Sequence, residues 1–486
     1  MPSLTSLAFG LPLLLLYWQL GSPSALLSDP NTGVHVRTGE WIVVHHTVPR
    51  EDLFSFSIQA QAWCDWEWLS DVMYALLHRW NALAAIVAVS LAVLCLMSAI
   101  IYRTAYFYAR PAVAFAVTCI VVAVTTVHWL ARPHLFSWVL LAVFCWVVER
   151  SRATGKRGYL LVLPVLMLLW VNLHPGFVAG LALLTVWFVA AAVKWGERVV
   201  RQTGADERQR RAWACWFGLI GLACLAATVA NPYGMELHRH VLWYLFSPSS
   251  VTTHVTEWLS PDFHNPRLYW FELLLPVCAA AGLWNAWRRR FAWCVLSLAG
   301  IHLALAAVRN VPICAILCAA PVASLIDELV GQHSSMIPFD DSGCRMSSLR
   351  AGSAICFGIA SLLVLGGYWS KPMALAPESS MPVAAVTHLP GRLFASDSWA
   401  DYVIYTNSGR RVFFDCRSDT YGGTFVQAYQ RVMKAEPGWQ EVLMKYRIAV
   451  ALVPRTSAIS AALASSVEWK LSYADETAAV FERSET

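Results

Sequence analysis

Long apolar segments recur through this chain, and they restrict it to folds that place most of the polypeptide in a membrane. A helix needs about 20 apolar residues to cross a hydrocarbon core of about 30 Å. The 486 residues are 57% hydrophobic and only 14% charged, with a mean hydropathy of +0.50, as in polytopic membrane proteins. We predict about eleven spans, near residues 4–26, 81–102, 111–129, 134–149, 158–172, 176–193, 213–230, 270–287, 291–308, 311–328 and 351–369.

Basic residues are concentrated in every second loop between these spans, as in the segments 150–157, 194–211 and 288–290. Cytoplasmic loops carry an excess of Lys and Arg. The pattern therefore predicts a cytoplasmic N-terminus, with the first loop (27–80), the 231–269 loop and the C-terminal tail on the outer side. A cleaved signal peptide is an alternative for the first span, but that span lacks a basic n-region. We expect a multi-pass protein of a bacterial inner membrane.

The chain divides into a membrane part over 1–369, a linker over 370–378 with two prolines, and a tail over 379–486. Strand-like runs at 393–396, 402–405, 411–414, 449–454 and 478–482, with helical spacing over 438–446, predict that the tail is a small extracytoplasmic α/β domain. The fold class is therefore a polytopic α-helical membrane protein with a C-terminal α/β domain. The basic residues follow the topology, and no phosphate-binding loop accompanies them, so we expect no nucleic-acid partner.

The first loop is the principal candidate for chemistry, because ionisable groups near a bilayer cost free energy unless they meet water, a partner or a ligand. Asp29 follows the first span directly, within a turn-rich segment. It is either the acceptor of an Asx turn or helix cap, or a general base or metal ligand at the membrane surface. His35, Arg37 and Glu40 follow it, and the guanidinium of Arg37 suits a phosphate.

A second acidic cluster closes the same loop. Glu67 and Asp71 are four residues apart and would share a helix face, and the aromatic residues Trp66 and Trp68 flank Glu67. The cluster is either a second catalytic carboxylate with a substrate-binding partner, an aromatic wall that binds the acceptor, or an interfacial aromatic belt with solvated acids.

Three further outer turns carry polar residues. Arg132 and His134 lie in the turn between the third and fourth predicted spans and are candidates for contact with a phosphate. His174 lies in the next outer turn, and the long outer loop adds Glu236, His240 and Glu257. Under the predicted topology all these clusters lie on one side of the membrane, which favours a common site.

This pattern resembles the GT-C superfamily of membrane glycosyltransferases, which transfer a sugar from a polyprenyl-phosphate or polyprenyl-diphosphate carrier to an acceptor outside the cytoplasm. Asp29 matches the acid of the family's first loop, which implies a base or metal ligand. The segment Ser398-Trp-Ala-Asp-Tyr402 is similar to the acceptor-reading motif of oligosaccharyltransferases, which implies acceptor contacts for Trp399, Asp401 and Tyr402. The motif's second Trp and its Gly are missing, and the turn at 128–134 has Arg132 and His134 where oligosaccharyltransferases have two metal-binding acids.

The resemblance implies a transferase with the bilayer, a lipid-linked sugar donor and a glycan or protein acceptor as its partners. No cofactor is assigned, and a divalent metal at Asp29 stays open. The alternative is a non-enzymatic membrane protein, such as a transporter or flippase for lipid-linked glycans or a scaffold in envelope assembly. The 13 cysteines show no CxxC pair, and a disulfide between the outer residues Cys64 and Cys416 stays open.

Overall fold

The computed structural model describes residues 3–58, 61–201, 207–246, 256–331, 373–376, 381–387, 389–407 and 409–484. Helices occupy most of the described part up to residue 331. They are α1 (Leu4–Leu15), α2 (Asn31–His45), α3 (Trp68–Ala105), α4 (Pro111–Thr125), α5 (His134–Thr154), α6 (Leu163–Leu173), α7 (Phe177–Arg201), α8 (Glu207–Ala227), α9 (Met235–Phe246), α10 (Tyr269–Trp287), α11 (Phe291–Ala306) and α12 (Val311–Gly331).

By length and composition, six helices in the described ranges can cross a membrane. They are the segments Trp68–Ala105, Pro111–His128, His134–Thr154, Phe177–Gly196, Pro266–Trp287 and Val308–Gly331, and shorter apolar helices cover Leu4–Leu20, Arg157–Leu173 and Phe291–Ala306. The polytopic helical class is confirmed, but the number of eleven spans is not. The predicted span at 351–369 and most of the predicted linker lie outside the described residues.

Helix α3 begins at Trp68, well before the predicted span at 81–102. Its helical geometry breaks at Asn81 (φ −153°, ψ 54°) and Ala82 (φ 45°, ψ −145°), so the predicted start coincides with this break. The apolar segment is the second half of the helix, and the first half carries the polar residues of the site.

The C-terminal domain contains a four-stranded sheet, with strands β1 (Leu393–Ala395), β2 (Val450–Pro454), β3 (Trp469–Ala474) and β4 (Ala478–Arg483) in the order β1-β2-β4-β3. β1 and β2 are parallel, and the other neighbours are antiparallel. The helices of this domain are α13 (Asp397–Thr406), α14 (Ser418–Tyr421), α15 (Gly423–Met433), α16 (Trp439–Lys445) and α17 (Ala458–Ala464).

The α/β class of the tail is confirmed, but two predicted strands are wrong. Residues 402–405 belong to helix α13, and 411–414 make only isolated bridges, in which Val412 pairs with Ser55 and Leu393. Each sheet face has its own core because successive strand residues alternate between faces. Phe394 and Phe481 pack in one core, and Leu393 and Val480 in the other.

The first loop packs against the C-terminal domain, so both lie at one end of the helices, called here the domain end. The backbone N–H of Val412 donates to the carbonyl of Phe54 at 2.8 Å, and the carbonyl of Val412 accepts a hydrogen bond from the N–H of Phe56 at 3.1 Å. A buried ion network adds to this contact, in which Arg417 Nη2 lies 2.7 Å from Asp52 and 2.6 Å from Asp415. The network stabilises the first loop in one position relative to the sheet.

Candidate active site

Asp29 lies between the first helical segment and α2, and its two carboxylate oxygens have different partners. Oδ1 accepts a hydrogen bond from the backbone N–H of Asn31 at 2.9 Å, which closes an Asx-type turn at the start of α2. Oδ2 accepts a hydrogen bond from Arg132 Nη1 at 3.0 Å. The turn and the ionic contact are therefore both present, and the side chain keeps 22% of its surface exposed.

Arg132 also faces a second carboxylate. Its Nη1 lies 3.6 Å from Glu257 Oε2, and Glu257 lies 3.0 Å from Arg309 and 3.3 Å from His128. Burial alone would raise the pKa of Glu257, but Arg309, Arg132 and the hydrogen bond from His128 hold it well below its usual range. Glu257 is therefore an anion at neutral pH, and it fixes the guanidinium of Arg132 beside Asp29.

These groups lie at the wall of a cavity of about 1320 Å³. The membrane part contributes Asp29, Arg132 and Glu257 to the lining, together with the exposed Arg267. The C-terminal domain contributes a further set, which includes Asp397, Cys416, Tyr429 and Gln430. The cavity is thus bounded both by ionisable groups of the outer turns and by the sheet domain.

A second cluster is buried behind the cavity wall, around His35 of α2. His35 Nδ1 and Asp71 Oδ1 share a hydrogen bond of 2.7 Å, and Nε2 lies 3.9 Å from Glu67 Oε2. Glu67 in turn lies 3.3 Å from His174. Burial lowers the pKa of His35 to about 4, so the imidazole is neutral at neutral pH, and Nε2 has no hydrogen-bond partner among the described residues.

Glycine at position 39 permits the approach of α2 to α3 that joins His35 to Asp71. A Cβ at this position would overlap the backbone carbonyl of Asp71 and lie 2.9 Å from the Cβ of Ala75. The two helix backbones are in direct contact there, so no other residue type fits without separating the helices.

In the acceptor-like segment, Trp399 and Asp401 are buried and Tyr402 is partly buried. Trp399 is 5% exposed in the core beside β1, and Asp401 is fully buried. Asp401 Oδ2 accepts a hydrogen bond from Asn31 Nδ2 at 3.2 Å, and Oδ1 accepts one from the N–H of Cys416 at 3.2 Å. Asp401 therefore connects the residues beside Asp29 to the cavity wall of the C-terminal domain, and a direct contact of this segment with an acceptor stays a prediction.

The remaining predicted residues lie outside the cavity lining. Arg37 donates to the carbonyl of Tyr405 through Nε at 2.8 Å, and it pairs with Glu40 at 2.6 Å. His134 is 7% exposed, with Nε2 donating to the carbonyl of His128 at 3.1 Å. The exposed Glu236 lies 3.7 Å from Arg50 on the surface. Of the two outer cysteines, Cys416 belongs to the cavity lining and Cys64 does not, and both are free thiols.

The residues around Asp29 do not fit a divalent metal. Such an ion needs about six oxygen ligands, and here the guanidinium of Arg132 lies between the carboxylates of Asp29 and Glu257. Within the described residues, a cluster of three metal-ligating side chains occurs only at the buried cysteines Cys278, Cys314 and Cys318, in helices α10 and α12. The positive charge at this site is supplied by arginine.

Several residues of the cavity were missed in the sequence. Arg267 and Asp397 carry no motif, and Arg309, which pairs with Glu257 of the lining, lies in a short turn between two apolar helices. The one sequence feature that could have identified Arg309 is that charged residues are rare in such an apolar chain, which is the reason that Arg132 was considered.

No protein-family model matches the chain, and no curated protein is detectably similar to it in sequence. Solved structures of an oligosaccharyltransferase from Archaeoglobus fulgidus are similar in fold. The form tethered to an acceptor peptide with an NVT sequon aligns with a TM-score of 0.53 at 10% identity, over 88% of this chain and 65% of that one. The complex with an inhibitory peptide and a dolichol-phosphate gives 0.54 at 10% identity, and the apo form 0.55 at 10%, each over 93% of this chain and 69% of that one.

The predicted GT-C-like fold is therefore confirmed over most of the chain. The chain spans 65% of the length of the first of these structures. The similarity establishes the fold.

Proposed function

We propose that this protein is a membrane glycosyltransferase that transfers a sugar from a polyprenyl-phosphate or polyprenyl-diphosphate carrier to an acceptor hydroxyl. The observation that carries the proposal is the pairing of Asp29 with Arg132, at 3.0 Å, on the wall of a large cavity within a GT-C-like fold. A carboxylate beside a fixed cation is what a displacement at a sugar phosphate requires. The first group accepts a proton, and the second meets the charge of the departing phosphate.

In the proposed reaction the acceptor oxygen forms a bond to the anomeric carbon, and the bond from that carbon to the phosphate oxygen breaks. The acceptor proton passes to the carboxylate of Asp29, and the bonding electrons leave with the lipid phosphate. Arg132, with Arg267 on the same cavity lining, stabilises the phosphate anion electrostatically. Glu257 orients Arg132 and is a positioning residue.

The cavity wall also suits a lipid carrier. Leu20, Leu130 and the tryptophans Trp18 and Trp270 contribute to the lining, and Trp18 is 72% exposed. Tryptophan is enriched where an apolar chain meets a polar headgroup. The archaeal oligosaccharyltransferase that shares the fold was solved with a dolichol-phosphate, which supports a polyprenyl carrier here.

The opposite wall is proposed to bind the acceptor. Asp397, Tyr429 and Gln430 offer polar groups from the C-terminal domain toward the same cavity. Asp401 is assigned a positioning role, because its hydrogen bonds to Asn31 and Cys416 join the two walls.

The proposed location of this site is the outer side of a cell membrane. The lining of the cavity comes from the domain end, whereas the basic segments at 150–157 and 288–290 lie at the opposite helix ends. Basic loops mark the cytoplasmic side. A cavity confined to one end also supports a transferase rather than a transporter, which needs a site near the membrane midplane.

The test is transfer by the purified protein in lipid nanodiscs, with a panel of radiolabelled polyprenyl-linked sugars and a panel of glycan and peptide acceptors. We expect acceptor-dependent release of the free lipid phosphate with at least one donor, and its loss in Asp29→Asn. Donor cleavage at equal rates in the wild type and in Asp29→Asn would contradict the proposal.

A further inference from the structure

A second cavity lies at the helix ends opposite to the candidate active site. It has a volume of about 210 Å³ and is lined by residues of α5, α7 and α8 and by the start of α11. Arg152 on its wall lies 18 residues after His134 in α5, which is about 27 Å along the helix axis. This cavity is therefore separate from the cavity that contains Asp29.

Four cationic side chains converge on this small space, and its lining contains no acid. They are Arg152, Lys194, Arg210 and Arg290. Two carboxylates contact the cluster from behind, because Glu149 pairs with Arg152 and Glu328 pairs with Arg290 at 3.0 Å. The charged side chains on the lining itself are all cations, so the cavity presents positive charge to a ligand.

The two best-fixed arginines have donors left for a ligand. Among the described residues, Arg152 and Arg290 each donate side-chain hydrogen bonds through Nη1 alone, to Glu149 and Tyr108 and to Ser324 and Glu328 respectively. Nε and Nη2 of both guanidinium groups remain available. Two such groups match the oxygen atoms of a phosphate, which accepts paired N–H donors.

Aromatic rings fix these cations and give the cavity an apolar wall. Arg152 Cζ lies 4.0 Å from the ring centre of Trp187, and Arg290 Cζ lies 5.4 Å from that of Trp293. Such stacking holds a guanidinium in place at low entropic cost. The site is thus formed before a ligand arrives.

The outer surface next to the cavity is apolar. Phe188, Val189 and Val193 of α7 are 41–50% exposed, on the same helix as Lys194. A ligand with a phosphate in the cavity and hydrocarbon chains along this surface would satisfy both features. The volume is smaller than the pockets of about 300–1,000 Å³ that enclose whole drug-sized ligands, so the chains would stay outside.

From these contacts we infer that this cavity binds the phosphate of an anionic phospholipid from the cytoplasmic leaflet. Basic pockets between helices on that side bind lipid headgroups in other membrane proteins. The inference does not depend on the proposed transferase activity. The same chemistry would admit a soluble phosphate compound, and the experiment separates the two sources.

The test compares two double variants of the full-length protein in detergent. Lys194→Gln with Arg210→Gln removes two cations of the cavity. Lys156→Gln with Arg208→Gln removes two exposed cations at the same helix ends, outside the lining. Native mass spectrometry then measures the binding of phosphatidylglycerol, of phosphatidylcholine and of inorganic phosphate.

We expect the wild type and the exposed-site variant to retain phosphatidylglycerol and the cavity variant to bind it at least fivefold more weakly, with phosphatidylcholine unable to compete. If millimolar inorganic phosphate displaces phosphatidylglycerol, and the cavity does not prefer the lipid over phosphate, the phosphate site is supported and its ligand is a soluble phosphate compound. Equal losses in both double variants, or a loss in neither, would overturn the inference. An unchanged thermal unfolding temperature of the cavity variant excludes misfolding as the cause of weaker binding. If the cavity variant does unfold, Arg290→Gln replaces it and is measured in the same way.

Discussion

Arg132 Nη1 lies 3.0 Å from Asp29 Oδ2, although the two residues are 103 positions apart in the chain. The same nitrogen lies 3.6 Å from Glu257, which Arg309 holds from the other side. The cation is thus fixed between two carboxylates that both line the cavity. Asp29 also closes a turn at the start of α2.

Asp29→Asn should reduce transfer at least a hundredfold while leaving the fold intact. The single oxygen of asparagine can still accept the hydrogen bond from the backbone N–H of Asn31 that closes the turn, but the amide cannot take a proton, and a general base contributes about 10²–10⁴-fold. The measurement is the initial rate of sugar transfer, with thermal unfolding as the test of folding. Asp262→Asn is the matched control, because this acid also lines the cavity and is 73% exposed, and its rate should stay within twofold.

Arg132→Gln should reduce transfer at least tenfold, and Arg132→Lys should recover part of that loss. Glutamine leaves the departing phosphate without its nearest cation, whereas lysine restores a charge but not the paired donors. Rates with saturating donor would be compared with those of Arg239→Gln, in which an exposed arginine of α9 is replaced. If Arg132→Gln transfers as fast as that control, the electrostatic role of Arg132 is wrong.

Chelation should leave transfer unchanged. Arg132 lies where a cation would bridge Asp29 and Glu257, so the proposed reaction does not need a divalent metal. Protein dialysed against EDTA should keep its rate within twofold, and added Mg²⁺ or Mn²⁺ should not raise it. A loss that Mn²⁺ restores would show that a metal binds despite the arginine.

Arg417→Ala should destabilise the contact between the first loop and the C-terminal domain by about 3–5 kcal/mol, because it leaves two buried carboxylates without a cation. Asp52 and Asp415 have fully buried side chains, and Arg417 is their shared partner. Urea denaturation followed by intrinsic fluorescence would give the free energy of unfolding. In Arg483→Ala, which breaks the partly exposed pair with Glu468, the cost should stay below about 1 kcal/mol.

The contribution of His35 to the stability of the protein should be lost as the pH falls from 6.5 to 4. Burial lowers the pKa of His35 from 6.5 to about 4, so the unfolded chain binds its proton first as the pH decreases. For His35 alone this difference corresponds to about 3 kcal/mol. Burial also lowers the pKa of His174, so His174 contributes to the pH dependence of stability with the same sign as His35. Burial raises the pKa of Glu67, so its contribution above pH 4.5 has the opposite sign.

The measurement is the unfolding midpoint of the wild type and of His35→Gln at each pH. In His35→Gln, the unfolding midpoint should depend less steeply on pH between 6.5 and 4 than in the wild type. Parallel curves for the two proteins would mean that His35 is not a buried neutral imidazole.

The helical class could be predicted because an apolar segment of sufficient length has few alternatives to a membrane helix. Helix α2 could not be predicted from the sequence, because its two glycines and its β-branched residues favour a loop when the segment is considered in isolation. The helix depends instead on close packing, which places Gly33 against Tyr405 and Gly39 against Asp71. The error at 402–405 has a similar origin, because Tyr402-Val-Ile-Tyr has high strand propensity, which packing of the helix on the sheet overrides.

A common site on one side of the membrane could be predicted from the sequence, but the pairings between its residues could not. Asp29, Glu67 and Arg132 were each identified because charges are rare in such a chain. Their pairings join segments about 100 residues apart, and no spacing rule relates such segments. For Arg37, the sequence context suggests contact with a phosphate, but in the structure its side chain donates a hydrogen bond to the carbonyl of Tyr405.

The backbone contact at Gly39 also limits how this protein can diverge. Side chains at the cavity can change with the substrate, one at a time, and leave the helices where they are. Position 39 has no such freedom, because any Cβ there would meet the carbonyl of Asp71 and separate α2 from α3. Descendants of this chain that exchange His35 or Asp71 for a different chemistry should therefore still carry glycine at this position, and that residue can mark the lineage after the ionisable groups have been replaced.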